Sequence, residues 1–353
     1  MRILFGYRYG IVGGVCSQLA SRMAGWSGPR PTFAFVEFHG GEALVAPYGE
    51  VARMDSAAFA RAAPEHDAVV VIDTPEYLDA VSSSNCPVLL EVHTTTERGL
   101  GYLEGRSFLG DGIAAPSRAS ADLLERRFGI TGVEVIGNVV DVERFTAQPP
   151  RGGLPKRPIL GWVGKLDGHK NWEGFLQLAA LAAHGGHDVE AWMVGGYTAH
   201  EPVVRSLLET VAALELHPRF RWLPKIPYSA MPAFYAAVRA TRGVMVSTTR
   251  NESFGMSVAE ALAAELPVVA PAVGALPELA PSAAPYLALY PSGSLGDALQ
   301  RIRSLIGSSP ERRSAAVRLR LDRPELIRPW TPSVVTERFT EVLSATVASR
   351  RPT

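Results

Sequence analysis

Two glutamates stand eight positions apart in TTRNESFGMSVAEALAAELPVVAPAVGALPEL, residues 248–279: Glu252 just ahead of an apolar helical run, and Glu260 inside it. Phe254, Gly255 and Met256 fall at the start of that helix, where unpaired amides and the positive end of the helix dipole favour a phosphate or a sugar oxygen. Gly255 lets a ligand come close to the backbone. From Gly255 to Glu260 is about 7.5 Å of helix, and the side chain leans back toward the N-terminus, so its carboxylate reaches a group one ring away from such a phosphate. Val258, Ala259, Ala261, Leu262, Ala263, Ala264 and Leu266 leave the helix almost without a polar face. A carboxylate buried there needs partners. Spacing alone allows two: the hydroxyls of a ribose, or an internal arginine or backbone group.

The elements that must carry these residues follow a repeating pattern. Short apolar runs ending in Gly, Pro, Ser or Asp alternate with stretches of helical period, as in β-α-β units around a parallel sheet. In the first half RILFGY, TFAFVEF, AVVVID, PVLLEV, GIAAPS and VEVIG are predicted strands, and helices are predicted to begin near Gly13, Pro75, Arg98 and Ser117. Ser117 suits an N-cap and Gly129 a helix end, with Leu123, Leu124 and Phe128 toward the sheet. In TAQPPRGGLPKRP, residues 146–158, six positions are proline or glycine, which marks a linker. A second alternation follows: PILGWVG, a helix from about Lys170, DVEAWMVG, a helix from about Glu201, RFRWLP, GVMVST, the helix through Glu260, and PVVAPA. ALPELAPSAAPY reads as turns. The expected domains are 1–147, 148–328 and a final helix within 329–353 that crosses back to the first domain. Two doubly wound sheets joined by a linker would face each other across a cleft lined by the carboxyl ends of their strands, where ligands bind.

Bulk properties agree with a globular protein of this size and exclude several classes. The 353 residues are 47% hydrophobic and 20% charged, with 35 basic and 35 acidic residues, so no global field attracts nucleic acid or an anionic membrane. An anionic ligand must be held by a few local cations. Cys16 and Cys86 lack the number and spacing of a disulfide framework or metal site, which suits core thiols in a reducing cytosol. No signal-peptide core or apolar run of about 18 residues is evident, so a cytoplasmic protein without a membrane span is expected.

The segment from Glu252 to Glu260, with PVVA from Pro267 and GALPE from Gly274 to Glu278, resembles the E-x7-E region of retaining GT-B glycosyltransferases of the family-4 type, relatives of bacterial glycogen synthase and sucrose synthase. VIGNVVDVERF (135–145) resembles that family's N-G-V-D segment, and VGKLDGHKNWEGFLQLA its V-G-R-L-x-x-x-K-G segment. The resemblance implies a GT-B fold of two Rossmann-like domains and a nucleotide-diphosphate sugar as co-substrate. Glu252 would contact the donor sugar, and Glu260 its ribose. Phe254, Gly255, Met256, Ser257 and Asn138 would line the donor site, and Lys165 and Lys170 would grip the diphosphate. Lys165 stands where the family usually has arginine, keeping the charge but losing the fork geometry. Glu265 stands where the family commonly has glycine, and Ala275 replaces the second glycine of a G-G loop; both bear on the shape of the donor pocket. Gly13 and Gly14 in YGIVGGV match the acceptor-side glycine loop in position only.

Retention of anomeric configuration and metal-independent catalysis are further implications, with the lysines and helix amides stabilising the departing diphosphate. No D-x-D occurs, and Asp141-Val142-Glu143 reads as a turn. His93, at the end of PVLLEVH, would hydrogen-bond the donor sugar or the acceptor as the family's residue does; the alternative is a solvent-satisfied histidine after a strand. His39 has a similar place, and His184 and His187 read as a surface loop. Tyr7, Arg8 and Tyr9 could shape an acceptor pocket, and Lys156 and Lys225 read as solvated. The expected function is transfer of a sugar to a hydroxyl of a small molecule or glycan, in the manner of a bacterial tailoring enzyme. A nucleotide-sugar 2-epimerase and a non-catalytic sugar-nucleotide module are the alternatives.

Overall fold

A computed structural model of the protein describes residues 1–146, 148–149, 153–279, 287–306 and 324–350. Residues 147 and 150–152 of the predicted linker, and 280–286 of ALPELAPSAAPY, lie outside the described residues. The chain forms two compact units, Met1–Asp141 with Pro329–Thr353, and Val142–Arg328. Phe145, just past the division, is buried and packs edge-on against Tyr235 of the second unit, their ring centroids 5.7 Å apart.

In the first unit the strands β1 (Ile3–Ile11), β2 (Thr32–His39), β3 (Glu50–Arg53), β4 (Ala68–Ile72), β5 (Val88–Glu91), β6 (Gly112–Ala115) and β7 (Glu134–Val135) form one parallel sheet ordered β3-β2-β1-β4-β5-β6-β7. β4, AVVVI, is buried along its whole length, as expected of a central parallel strand covered on both faces. The helix Arg118–Phe128 starts at Ser117, whose Oγ accepts from the Ser120 amide at 3.1 Å, and ends at Gly129 with φ 66°. The chain's last helix, Pro332–Ser349, packs into this unit. Phe339 stacks on Phe5 at 5.9 Å, and Thr346 lies so close to Gly112 that a Cβ there would stand 2.4 Å from its hydroxyl.

In the second unit β8 (Ile159–Val163), β9 (Glu190–Val194), β10 (Phe220–Leu223), β11 (Val244–Val246), β12 (Val268–Pro271) and β13 (Leu287–Tyr290) form a parallel sheet ordered β10-β9-β8-β11-β12-β13. Each sheet reverses its winding once, at β1/β4 in the first and β8/β11 in the second. The loops leaving the carboxyl ends at such a reversal splay apart, which makes it the natural ligand position of a doubly wound sheet. The loop after β8 carries Lys165 and Lys170, and the loop after β11 carries Glu252.

The helix Met256–Ala263 shows why Glu265 and Ala275 are tolerated. At its end the Leu266 amide donates to the Ala261 carbonyl at 2.9 Å and the Glu265 amide to Leu262 at 3.0 Å, the paired bonds of a left-handed helix stop. Glu265 therefore occupies a glycine conformation, with φ 55°, while Arg239 bonds the Ala264 carbonyl at 2.8 Å and lies 3.6 Å from the Glu265 carboxylate. In the loop before Leu276–Leu279, only Gly274 has positive φ, 51°, and a Cβ there would meet the Glu252 carbonyl at 2.2 Å. Ala275 is buried without such a demand, and its amide donates to the Glu252 carbonyl at 3.0 Å. The expected turn after Ala275 is a short helix, Leu276–Leu279; a proline in the first turn forfeits no helical hydrogen bond, so Pro277 does not prevent it. Replacing Glu265 by glycine should relieve the left-handed strain and raise stability by about 1 kcal/mol. Urea unfolding checks this, and a loss of stability would mean that the Arg239 contact outweighs the strain.

Candidate functional site

The reversal of the second sheet is closed by polar contacts between its two loops. The Thr248 hydroxyl accepts from Trp162 Nε1 at 3.1 Å and donates toward the carbonyls of Asn171 and Lys170 at 2.8 and 3.2 Å. Asn171 returns a bond from Nδ2 to the Thr248 carbonyl at 3.1 Å. It sits in the left-handed region at φ 52°, which asparagine tolerates better than most residues. The Arg250 amide donates to the His169 carbonyl at 2.8 Å, and the Thr249 hydroxyl to the Asn251 carbonyl at 2.7 Å. The Lys170 amide is held by Asp167 at 2.8 Å. The outcome is one ion pair, Lys170 Nζ to Glu252 Oε1 at 2.5 Å, with the glutamate side chain nearly buried and the lysine half-buried.

Beside that pair begins the helix Met256–Ala263, whose N-cap is Gly255 at φ 92° and whose first turn carries no side-chain cap. Gly255 is fixed by conformation and by space, since a Cβ would lie 2.5 Å from Leu276 Cδ2. Phe254 is buried, while Met256 and Ser257 are partly exposed. One turn on, Glu260 is buried, and two tyrosines meet its carboxylate. Tyr235 donates to Oε2 at 2.8 Å and Tyr228 to Oε1 at 3.2 Å. Arg144 lies over the Tyr228 ring at 5.2 Å. Burial pushes the Glu260 carboxyl up to about 7, against the pull of the two tyrosine hydroxyls and the Arg144 charge.

Other predicted residues are dispersed. Lys165 is exposed and makes no ion pair among the described residues, so the structure does not join it to the Lys170–Glu252 pair. Asn138 is buried within the first unit, its Oδ1 without a hydrogen-bond partner. Gly13 caps the helix Gly14–Ala24 in extended backbone, and a Cβ there would meet nothing within 4 Å. Gly14 is exposed. The fold thus does not require glycine at position 13. His93 is not solvent-satisfied; its Nε2 lies 2.9 Å from Glu91. Arg8 is committed to Glu76 at 2.7 Å, His39 stands 3.1 Å from Glu37, and Lys225 lies over Tyr197 at 4.9 Å. His184 is exposed, and among the described residues no three His, Cys, Asp or Glu side chains are grouped as metal ligands.

Sequence reasoning missed His169, Thr248, Tyr228 and Tyr235. His169 has its pKa lowered by burial and by the neighbouring Lys170 charge, so it is neutral beside the pair. The two tyrosines had no sequence signal, because they reach Glu260 from another helix and its preceding turn.

Taken together, the two sheets and their order define the fold of GT-B glycosyltransferases. HepE of Anabaena, crystallised with UDP and glucose, superposes with a TM-score of 0.84 over 98% of this chain and 100% of that one, at 18% identity. Sucrose-phosphate synthase of Thermosynechococcus elongatus gives 0.66 over 99% and 96%, at 16% identity. Residues 145–318 match the family described as Glycosyl transferases group 1. A 2-deoxystreptamine glucosyltransferase of Streptomyces kanamyceticus is 27% identical over 55% of this chain and 51% of its own length. A D-inositol 3-phosphate glycosyltransferase of Corynebacterium diphtheriae is 31% identical over 41% and 36%. The match spans about half or less of these relatives. No helix among the described residues is long and apolar enough to cross a membrane.

A folded-state carboxyl raised to about 7 implies that ionising Glu260 costs stability. Stability should therefore fall as pH rises from about 4.5 through about 7. Glu260→Gln removes that loss, and the variant should exceed the parent at pH 8 by roughly 3 kcal/mol while matching it near pH 4. Parallel unfolding curves for the two proteins across this range would contradict the assignment.

Proposed function

We propose that the protein is a retaining, metal-independent glycosyltransferase of the family-4 type. It moves a hexose or amino-sugar from a nucleotide diphosphate sugar to a hydroxyl of a small cyclic polyol or aminocyclitol. The observation that carries this reading is the Lys170–Glu252 pair at the reversal of the second sheet, beside the uncapped helix Met256–Ala263. A fixed ammonium and the amides at the helix start supply positive potential where a departing diphosphate gains charge, and such preorganised groups usually contribute most in sites of this kind.

In this reading Lys170, aided by the exposed Lys165, holds the diphosphate, and the amides of Phe254, Gly255, Met256 and Ser257 receive its oxygens. Glu252 accepts from hydroxyls of the transferred sugar, and Glu260 accepts from the ribose. The bond from the anomeric carbon to the phosphate oxygen breaks with its electron pair going to the diphosphate. The acceptor oxygen bonds to the same face of the carbon, and its proton passes to the departing phosphate. Gly13 and Gly14 leave open backbone for the acceptor. The acceptor class is supported by the activities of the relatives, which concern 2-deoxystreptamine and D-inositol 3-phosphate; UDP as nucleotide is supported by the HepE complex.

The test is incubation with UDP-, GDP- and ADP-sugars, following free nucleotide with and without inositol and 2-deoxystreptamine. Nucleotide release that depends on the cyclitol is expected. A sugar isomer without nucleotide release would indicate an epimerase, and binding without turnover a non-catalytic module. Lys170→Ala should lower kcat by about a hundredfold or more while changing donor affinity far less, because its contact strengthens as charge develops. Equal losses in both, from kinetics and calorimetry, would place the contact in the ground state.

A further inference from the structure

The first unit buries a charged network that the proposed chemistry does not use. Arg22, on the helix Gly14–Ala24, reaches Glu91 at the end of β5 with two bonds, Nη1 to Oε1 at 2.6 Å and Nη2 to Oε2 at 3.2 Å. Glu91 Oε2 in turn lies 2.9 Å from His93 Nε2. The side chains of Arg22, Glu91 and His93 are 1%, 2% and 8% exposed. The guanidinium lies 4.5 Å from the centre of the Phe339 ring on the last helix, and the three side chains, with Pro116 and Gly137, line a gap too narrow for a water molecule.

A buried ion pair of this kind seldom adds stability over apolar residues of the same volume, so stability does not account for it. Its geometry accounts for the orientation of the histidine. Burial alone would raise the Glu91 carboxyl, but the Arg22 charge and the His93 contact outweigh it and hold it down at about 2. An ionised carboxylate only accepts, so the proton of the 2.9 Å contact belongs to His93 Nε2. The backbone is fixed as well: the amides of His93 and Thr94 both donate to Asp73 Oδ2 at 2.9 Å. The other ring nitrogen, Nδ1, has no hydrogen-bond partner among the described residues.

We propose that Arg22 and Glu91 are positioning residues for His93, holding its Nε2–H against Glu91 so that the ring turns its Nδ1 edge to a substrate hydroxyl at the carboxyl end of the first sheet. The ligand class, a sugar or cyclic polyol, rests on the function proposed above; the orientation of the ring does not.

Long-range proton–nitrogen correlation spectra of the ¹⁵N-labelled full chain, with His93→Gln for assignment, read the tautomer directly. The expected result is a proton held on Nε2. An Nδ1–H tautomer, or the averaged pattern of a free imidazole, overturns the inference. Glu91→Gln leaves Arg22 unpaired in the core at a large cost to folding, so the second variant is Arg22→Met with Glu91→Leu, which replaces the pair by apolar groups. In this variant the His93 tautomers should average, and kcat with UDP-glucose and inositol should fall on the order of tenfold to a hundredfold with KM little changed. An unchanged tautomer or unchanged kcat in the folded variant counts against the proposal. If the parent turns over no nucleotide sugar, the proposed function fails, while the tautomer still decides the role of Glu91.

Discussion

The second unit depends on holding an ammonium and a carboxylate on two different loops at one point of the sheet. Lys170 and Glu252 are 82 residues apart and meet at 2.5 Å. Neither loop could keep that geometry alone. The Thr248 hydroxyl does it from the end of β11, tying the Trp162 indole on β8 to the carbonyls of Lys170 and Asn171. With the lysine side chain 26% exposed and the glutamate 10%, the pair fixes a positive charge at the reversal of the sheet before any ligand arrives.

The same economy explains the helix Met256–Ala263. An almost wholly apolar helix packs tightly against the sheet, and it carries one carboxylate because two tyrosines meet both oxygens. Those bonds do not fill the acceptor capacity of a carboxylate, which has about four lone-pair sites. Glu260 is therefore satisfied enough to be buried and still able to accept from a ligand, so the internal and ligand-binding readings of this residue are compatible.

Much of the fold was legible because parallel strands buried on both faces read as continuous apolar runs, as AVVVI and PVLLEV do. Two strands were missed for identifiable reasons. β3, EVAR, is a four-residue edge strand with exposed ends, and β13, LALY, has only two fully buried residues. Around the candidate site, Glu252, Gly255 and Glu260 stood out by their spacing about a helix start, and Lys170 by the resemblance of its segment. Tyr228, Tyr235 and Thr248 did not, since their contacts cross 25 to 86 residues of sequence and depend on how the helices pack. The same holds for Glu91: it reads as one more residue of a buried strand until Arg22 is seen to approach from 69 positions away.

The two units use different cations for a physical reason. Arg22 is enclosed in a core, where an ammonium would tend to lose its proton; guanidinium keeps its charge at any ordinary pH and matches a carboxylate with two parallel bonds. It can therefore hold Glu91 ionised without water. Lys170 is partly solvated, where a compact ammonium keeps its charge and part of its hydration. A lysine at position 22 would be neutral, or would leave one carboxylate oxygen unpaired. The choice of cation follows the solvent exposure of each site, 1% for the Arg22 side chain and 26% for that of Lys170.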